Sequence, residues 1–249
     1  MPVIAGLDTA TLAYAWAAIF VGGFVRGYSG FGSSMIWVTA LTQVMPAWRV
    51  VPIILVLEVL ASAHLLPGAW KDVHWASVRP LMGAAWLATP LGVWALARLS
   101  PAAMQLAISV VVIATAALLW QGYRLRRTPG AAATLALGAV SGVLTGATSA
   151  NGPPLVIFYL SSPVEMAAQR ASLIACFLGI DAVGAAMAAL AGLAPWESVV
   201  QTALFLPAML VGTALGGRRF LGTSPEAFRR VALVLLAALG IVGLVRAVL

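Results

Sequence analysis

Apolar residues run along this chain in long blocks separated by short polar or basic breaks. Val50–Pro67, Val78–Leu99, Ala102–Tyr123, Ala171–Leu193, Val199–Gly217 and Ala227–Val248 are six such blocks. Crossing a bilayer takes about 20 apolar residues in a helix, so each block predicts one membrane-crossing helix. Strands are not predicted: Ala, Leu and Gly dominate, and no period-2 alternation persists. A basic break at Arg124, Arg126, Arg127, Thr128, Pro129 and Gly130 divides the chain near its middle.

Two further segments have a different pattern. Thr11–Ala47 is too long for one crossing and is interrupted by Gly22, Gly23, Gly27, Gly30 and Gly32. Ala131–Leu160 is interrupted by Gly138, Gly142, Gly146, Gly152, Pro153 and Pro154. Glycine and proline at this density break helices. Each segment is either one long broken helix or a hairpin that folds back at its glycines.

Composition narrows the class. The chain is 62% hydrophobic and 8% charged over 249 residues, whereas soluble domains are roughly 25% charged. Most of its surface must therefore meet lipid, which excludes a soluble enzyme, a nucleic-acid binder and a disordered chain. The net charge of +7 comes from 14 basic residues scattered between apolar runs, a topology signal rather than a nucleic-acid footprint. The lone Cys176 excludes a disulfide framework and reads as a small buried hydrophobe. Residues Met1–Ala10 hold Asp8 and no base, unlike a secretory signal, so the first apolar run is expected to stay in the mature protein. His64 and His74 have no partner His or Cys at ligand spacing, and no Walker, HExxH or nucleophile-elbow sequence is present. No metal or cofactor is expected, and this chain alone is not expected to be driven by ATP.

The two halves echo each other. Gly23-x3-Gly27 precedes Gly30-Phe31-Gly32-Ser33-Ser34, as Gly138-x3-Gly142 precedes Gly146-Ala147-Thr148-Ser149-Ala150-Asn151-Gly152. Pro46-Ala47-Trp48-Arg49 with Glu58 beyond it matches Met166-Ala167-Ala168-Gln169-Arg170 with Asp181 beyond it. Ser100-Pro101 matches Ser224-Pro225. The offsets grow slowly: 115 from Gly27 to Gly142, 121 from Arg49 to Arg170, 123 from Glu58 to Asp181 and 124 from Ser100 to Ser224. Small insertions in a duplicated unit produce such growth. The expectation is an all-α polytopic membrane protein of two repeats, residues 1–127 and 128–249, with about four apolar segments each.

Charge separates two topologies through the positive-inside rule. If each broken segment crosses once, Lys71, Arg79, Arg124, Arg126, Arg127 and Arg246 share one side, and Arg49, Arg98, Arg170, Arg218, Arg219, Arg229 and Arg230 share the other. Six against seven is no bias. If each is a re-entrant hairpin, ten bases share one side and only Arg49, Arg98 and Arg246 face the other, with Arg26 inside the hairpin. The hairpin topology is favoured, and it makes the repeats inverted. Both termini lie outside in either case. Trp48, Trp70, Trp75, Trp120 and Trp196 fall near segment ends, at the headgroup level that indole rings prefer.

Matched Gly-broken segments in two halves point to a transporter's binding site. Irregular backbone at membrane depth survives only where protein or a cavity surrounds it. A helix starting after such a break aims free N–H groups at whatever lies there. Gly30, Gly32, Ser33 and Ser34 at the first tip, with Thr148, Ser149, Asn151 and Gly152 at the second, are candidate anion-binding residues. Pro153 and Pro154 suit a new helix's first turn. Gly23, Gly27, Gly138 and Gly142 read instead as close helix packing. Arg26, inside the first broken segment, attracts the anion, pairs with Glu58 or snorkels. Glu58 and Asp181 fall mid-span and are candidate ion-coupling acids. Acids in hydrocarbon are driven toward their neutral form, which suits proton carriage. The alternative is a structural ion pair with Arg26, Arg49 or Arg170.

These motifs resemble the TauE/SafE family, the sulfite-exporter or toluene-sulfonate-uptake-permease group of membrane proteins. The resemblance covers nearly the whole chain and rests on the duplicated Gly-rich segment, the Arg-led second segment and the Ser-Pro opening of the last. It implies a secondary carrier of a small anion such as sulfite, a sulfonate or a related organosulfur oxyanion. The partners then expected are that anion, a coupling ion (proton or sodium), the lipid bilayer and a second copy in a homo-oligomer. The location implied is a bacterial cell (inner) membrane. The chain departs from the family pattern in its Ser33-Ser34 and in Ala150-Asn151-Gly152-Pro153-Pro154, where many members have further glycines. The competing functions are an anion channel and an integral-membrane enzyme acting on a lipid-borne substrate. The hairpin topology predicts that a cysteine at Ala47 reacts with an impermeant thiol reagent added outside; labelling only from inside would refute it.

Overall fold

The computed structural model describes residues 3–4, 6–120, 129–160 and 164–219. The basic break at Arg124–Arg127, the boundary between 127 and 128, the Ser224-Pro225 echo and the block Ala227–Val248 lie outside the described residues. Among the described residues the chain is helical, apart from a two-residue antiparallel pairing of Val3–Ile4 with Leu7–Asp8. The helices are α1 (Thr9–Ser29), α2 (Ser33–Leu41), α3 (Ala47–Ala69), α4 (Trp75–Arg98), α5 (Pro101–Trp120), α6 (Ala131–Thr148), α7 (Gly152–Leu160), α8 (Met166–Leu190) and α9 (Trp196–Arg219). Asp8 caps α1, its carboxylate accepting the Thr11 N–H at 2.9 Å; that bond holds the carboxyl below its ordinary pKa.

Among the described residues, six helical stretches are long and apolar enough to cross a membrane, namely Thr9–Ser29, Ala47–Asp72, Trp75–Arg98, Ala131–Thr148, Ala167–Leu190 and Trp196–Arg219. The protein is therefore an all-α polytopic membrane protein. Leu87, Leu91 and Trp94 on α4 and Leu190 at the end of α8 stand well exposed, which suits side chains that meet acyl chains rather than water.

Both glycine-broken segments break where the sequence places the tips. Gly30 closes α1 in the left-handed region at φ 81°, and its N–H donates to the Arg26 carbonyl at 2.7 Å. Gly32, at φ 89°, precedes α2. Only glycine takes two such conformations in three residues cheaply. At the second break Ser149 does the same work at φ 56°, its N–H donating to the Thr145 carbonyl. A non-glycine residue held there marks a site whose surroundings enforce it.

The two short helices after the breaks, α2 and α7, have nine residues each. At 1.5 Å per residue that is about 14 Å, half of what a crossing needs. The first segment folds back on itself. The Trp37 indole donates to the Ile19 carbonyl at 3.0 Å, and the Tyr14 hydroxyl donates to the Ala40 carbonyl at 3.2 Å. Rising numbers on α2 meet falling numbers on α1, so α2 returns antiparallel along α1. Gly22 leaves room for the Trp37 ring, which is fully buried.

Packing interleaves the two halves. α1 lies against α9, α4 against α6, and α3 against α8. On α1, Gly23 and Gly27 press against the Met209 and Thr213 carbonyls of α9; Gly212 and Gly216 of α9 press against the Phe20 and Phe24 carbonyls of α1. The α4–α6 pair is built alike, with Gly138, Gly142 and Gly146 against the Leu81, Ala85 and Thr89 carbonyls and Gly92 against that of Val143. These are small-xxx-small contacts, in which backbones approach because no Cβ intervenes. The packing role expected for Gly23, Gly27, Gly138 and Gly142 is what the structure shows.

Ala47 is buried at the start of α3, so a thiol label for the preceding loop is better carried by the exposed Val44. Gly27→Leu drives a side chain into the α9 backbone and should cost about 1–3 kcal/mol by overpacking, read as a lower unfolding temperature of the purified protein. Gly83, with nothing within 4 Å of where a Cβ would stand, is the control: Gly83→Ala should hold or raise that temperature.

Candidate functional site

Each break lies beside the central part of the next long helix, α3 for the first and α8 for the second. At the first, the Ser33 hydroxyl, opening α2, donates to Glu58 Oε1 on α3. At the second, Asn151 Nδ2 donates to Asp181 Oδ1 on α8 at 2.7 Å. Ser33, Glu58, Asn151 and Asp181 are all 1% exposed or less. The sequence offset that pairs Glu58 with Asp181 thus pairs two similar contacts.

The surroundings of the two acids differ. Arg26, 1% exposed, places Nη1 3.1 Å from Glu58 Oε2. Its Nη2 donates to Ser62 Oγ, and its guanidinium stacks 4.6 Å from the centroid of the Phe177 ring. The ion pair is a close charge contact even though Oε2 lies outside hydrogen-bond geometry. Of the three readings of Arg26, snorkelling fails and pairing with Glu58 is what the structure shows. Arg26 Nε has no hydrogen-bond partner among the described residues. Asp181 has no ion-pair partner among the described residues. Its Oδ2, Asn151 Oδ1 and Ser149 Oγ are buried atoms without a hydrogen-bond partner there.

The other expected site residues are placed as follows. Gly30 and Gly32 form the first turn-back, and Ser34 is buried beside Ser33 at the start of α2. No side chain caps α2, which leaves its first N–H groups to other acceptors. The Thr148 hydroxyl donates to the Leu144 carbonyl and accepts the Ala150 N–H, so it stabilises the break itself. Gly152 opens α7 with free space where a side chain would stand. Arg170, one of the three alternative ion-pair partners for the acids, donates to the Gly27 carbonyl at 3.1 Å. It caps the carbonyl end of α1, where a cation is favoured, and its stem lies against Gly30.

Two site residues escaped sequence reasoning. Ser62 stands four residues after Glu58, and Phe177 four before Asp181. Both share a helix face with an acid, a spacing that could have found them. An aromatic cleft of about 460 Å³ between Trp70, Trp75, Arg79, Met82 and Trp86 lies at the loop end of α3 and α4 and includes none of these residues.

Half-helices that each meet a buried acid on a crossing helix define a class: polytopic membrane proteins with interrupted helices. Comparison with known proteins narrows it. The profile of the family described as sulfite exporter TauE/SafE matches residues 15–243, and the chain belongs to that family. A relative from Cupriavidus necator, described as a probable sulfite/organosulfonate exporter TauE, is 28% identical over 232 residues, covering 90% of either chain. No solved structure matches. Membership places the protein among membrane transporters rather than enzymes.

Removing one member of the buried ion pair strands the other charge, at about 3–5 kcal/mol. Arg26→Met and Glu58→Leu should each lower the unfolding temperature sharply, and the double variant should recover most of the loss. Additive losses in this double-mutant cycle would show that the two side chains do not depend on each other.

Proposed function

We propose that the protein is a secondary active carrier of a small sulfur-containing anion, sulfite, a sulfonate or a related organosulfur oxyanion, coupled to an ion and working by alternating access in a bacterial inner membrane. The observation that carries this reading is the buried Arg26, whose Nε is unpartnered among the described residues and whose partner Glu58 also accepts from Ser33 at the uncapped N-terminus of α2. A guanidinium and free backbone N–H groups at membrane depth are donors for an oxyanion. The family and the name of the Cupriavidus relative supply the sulfur chemistry.

The binding residues in this reading are Arg26, Gly30, Gly32, Ser33 and Ser34 from the first half. Thr148, Ser149, Asn151 and Gly152 are the candidates from the second half. Glu58 and Asp181 are the two candidate acids for coupling an ion. The halves are inverted repeats, with both termini outside. Support comes from the fold-back of α2 on α1 and from the ten-against-three distribution of bases. It also comes from the helix pairs α1–α9 and α4–α6, which exchange with each other under the sequence offset.

The test is counterflow in proteoliposomes. Vesicles loaded with unlabelled sulfite should transiently accumulate labelled sulfite above its external concentration. A channel gives no such overshoot. Ser34→Ala should raise the half-saturating concentration severalfold, as loss of one hydrogen bond of about 1 kcal/mol implies.

A further inference from the structure

The second break holds an arrangement that the first does not. Asp181 is fully buried, and Asn151 Nδ2 donates to its Oδ1. Asp181 Oδ2 and Asn151 Oδ1 are both left without a partner among the described residues. Both are acceptors when the acid is ionised, and one proton on Oδ2 changes that. A carboxylic acid and a primary amide join through two hydrogen bonds, N–H to the acid carbonyl and O–H to the amide carbonyl. The first of these bonds is already present, and the second would use the two unpartnered atoms.

Charge points the same way. The charged groups that face Asp181 are Glu58 of α3 and Arg26 of α1. Arg26 is already neutralised by Glu58. α6 and α7 carry no charged residue, the arginines of α4 (Arg79 and Arg98) sit toward its ends, and Tyr159 of α7 bonds to Cys176 and Ser77. An ionised Asp181 would be a second buried anion with no cation of its own, and buried charges without partners neutralise.

We propose that Asp181 alone carries the coupling ion, that this ion is a proton, and that Asn151 holds the proton in place as amide partner rather than binding the anion. Loading forms an O–H bond on Oδ2 with a proton taken from water on the open side. Unloading breaks that bond and returns the proton to water on the other side, with no other bond changed. Glu58, at the equivalent position, is held in the ion pair with Arg26. The Ser33 hydroxyl and Arg26 occupy its two oxygens, and protonating it would leave Arg26 uncompensated in hydrocarbon. The duplicated acids have thus diverged: one fixes a cation and the other carries a proton. This rests on the carrier reading, but the protonated acid can be detected without knowing the substrate.

Infrared difference spectra of the purified protein, recorded between high and low pH, provide the direct test. The expected result is a protonated-carboxyl band that shifts in D2O, is absent in Asp181→Asn, persists in Glu58→Gln and moves to higher frequency in Asn151→Ala. In proteoliposomes, the ratio of initial sulfite flux with and without an imposed pH gradient should exceed one in the natural protein and fall to one in Asp181→Asn. A band that survives Asp181→Asn, or a gradient ratio still above one in that variant, overturns the proposal. So does a flux that follows sodium and ignores pH. If no sulfur anion is carried by any form, the substrate reading fails and the band alone decides the proton site.

Discussion

A guanidinium buried at bilayer depth is the constraint on which the rest of this structure depends. Arg26 sits 1% exposed on a helix made otherwise of small and apolar residues. Leaving it there uncompensated costs several kcal/mol, so three side chains from two other helices answer to it: Glu58 and Ser62 from α3, and Phe177 from α8. The fold-back of α2 brings Ser33 to the remaining oxygen of Glu58. The glycines that let α1 turn at Gly30 and Gly32 therefore do more than break a helix. They set the depth at which α2 begins and so complete the shell around one ion pair.

The small-residue contacts work at another level. Lipid tails are as apolar as leucine, so helices in a membrane gain little by hiding apolar surface and associate mainly through close packing. The α1–α9 and α4–α6 pairs meet backbone to backbone at glycines. They hold the broken segments of each half against the fourth helix of the other half. The irregular backbone at the breaks, which cannot face lipid, is thereby enclosed by protein.

Much of this was legible in the sequence because membrane physics leaves few solutions. The breaks were placed correctly by Gly30 and Gly32 and by the Thr148–Pro154 run, since only such residues interrupt a helix at depth. Glu58 and Asp181 stood out as acids in apolar blocks, and pairing between Arg26 and Glu58 was among the readings considered. What the sequence could not show was which of several cations meets which acid. Arg170 and Arg26 were equivalent candidates by composition. The fold sends Arg170 to the carbonyl end of α1 and Arg26 to Glu58. Nor could the repeat pattern reveal that the two acids differ in environment, because equal offsets describe ancestry and say nothing about partners. Ser62 and Phe177 were hidden by common residue types, although their four-residue spacing from the acids was in plain view.

The exchange of helices between halves bears on how the chain is made. When α1 leaves the ribosome its glycine-lined flank has no mate, because α9 begins only at Trp196, 167 residues after α1 ends at Ser29. Through most of translation Arg26 can meet Glu58 while the flank of α1 stays open to lipid or to another nascent protein. Biogenesis is then a late closure, in which the arrival of α9 seals an assembly that the first half, released alone, would leave unfinished.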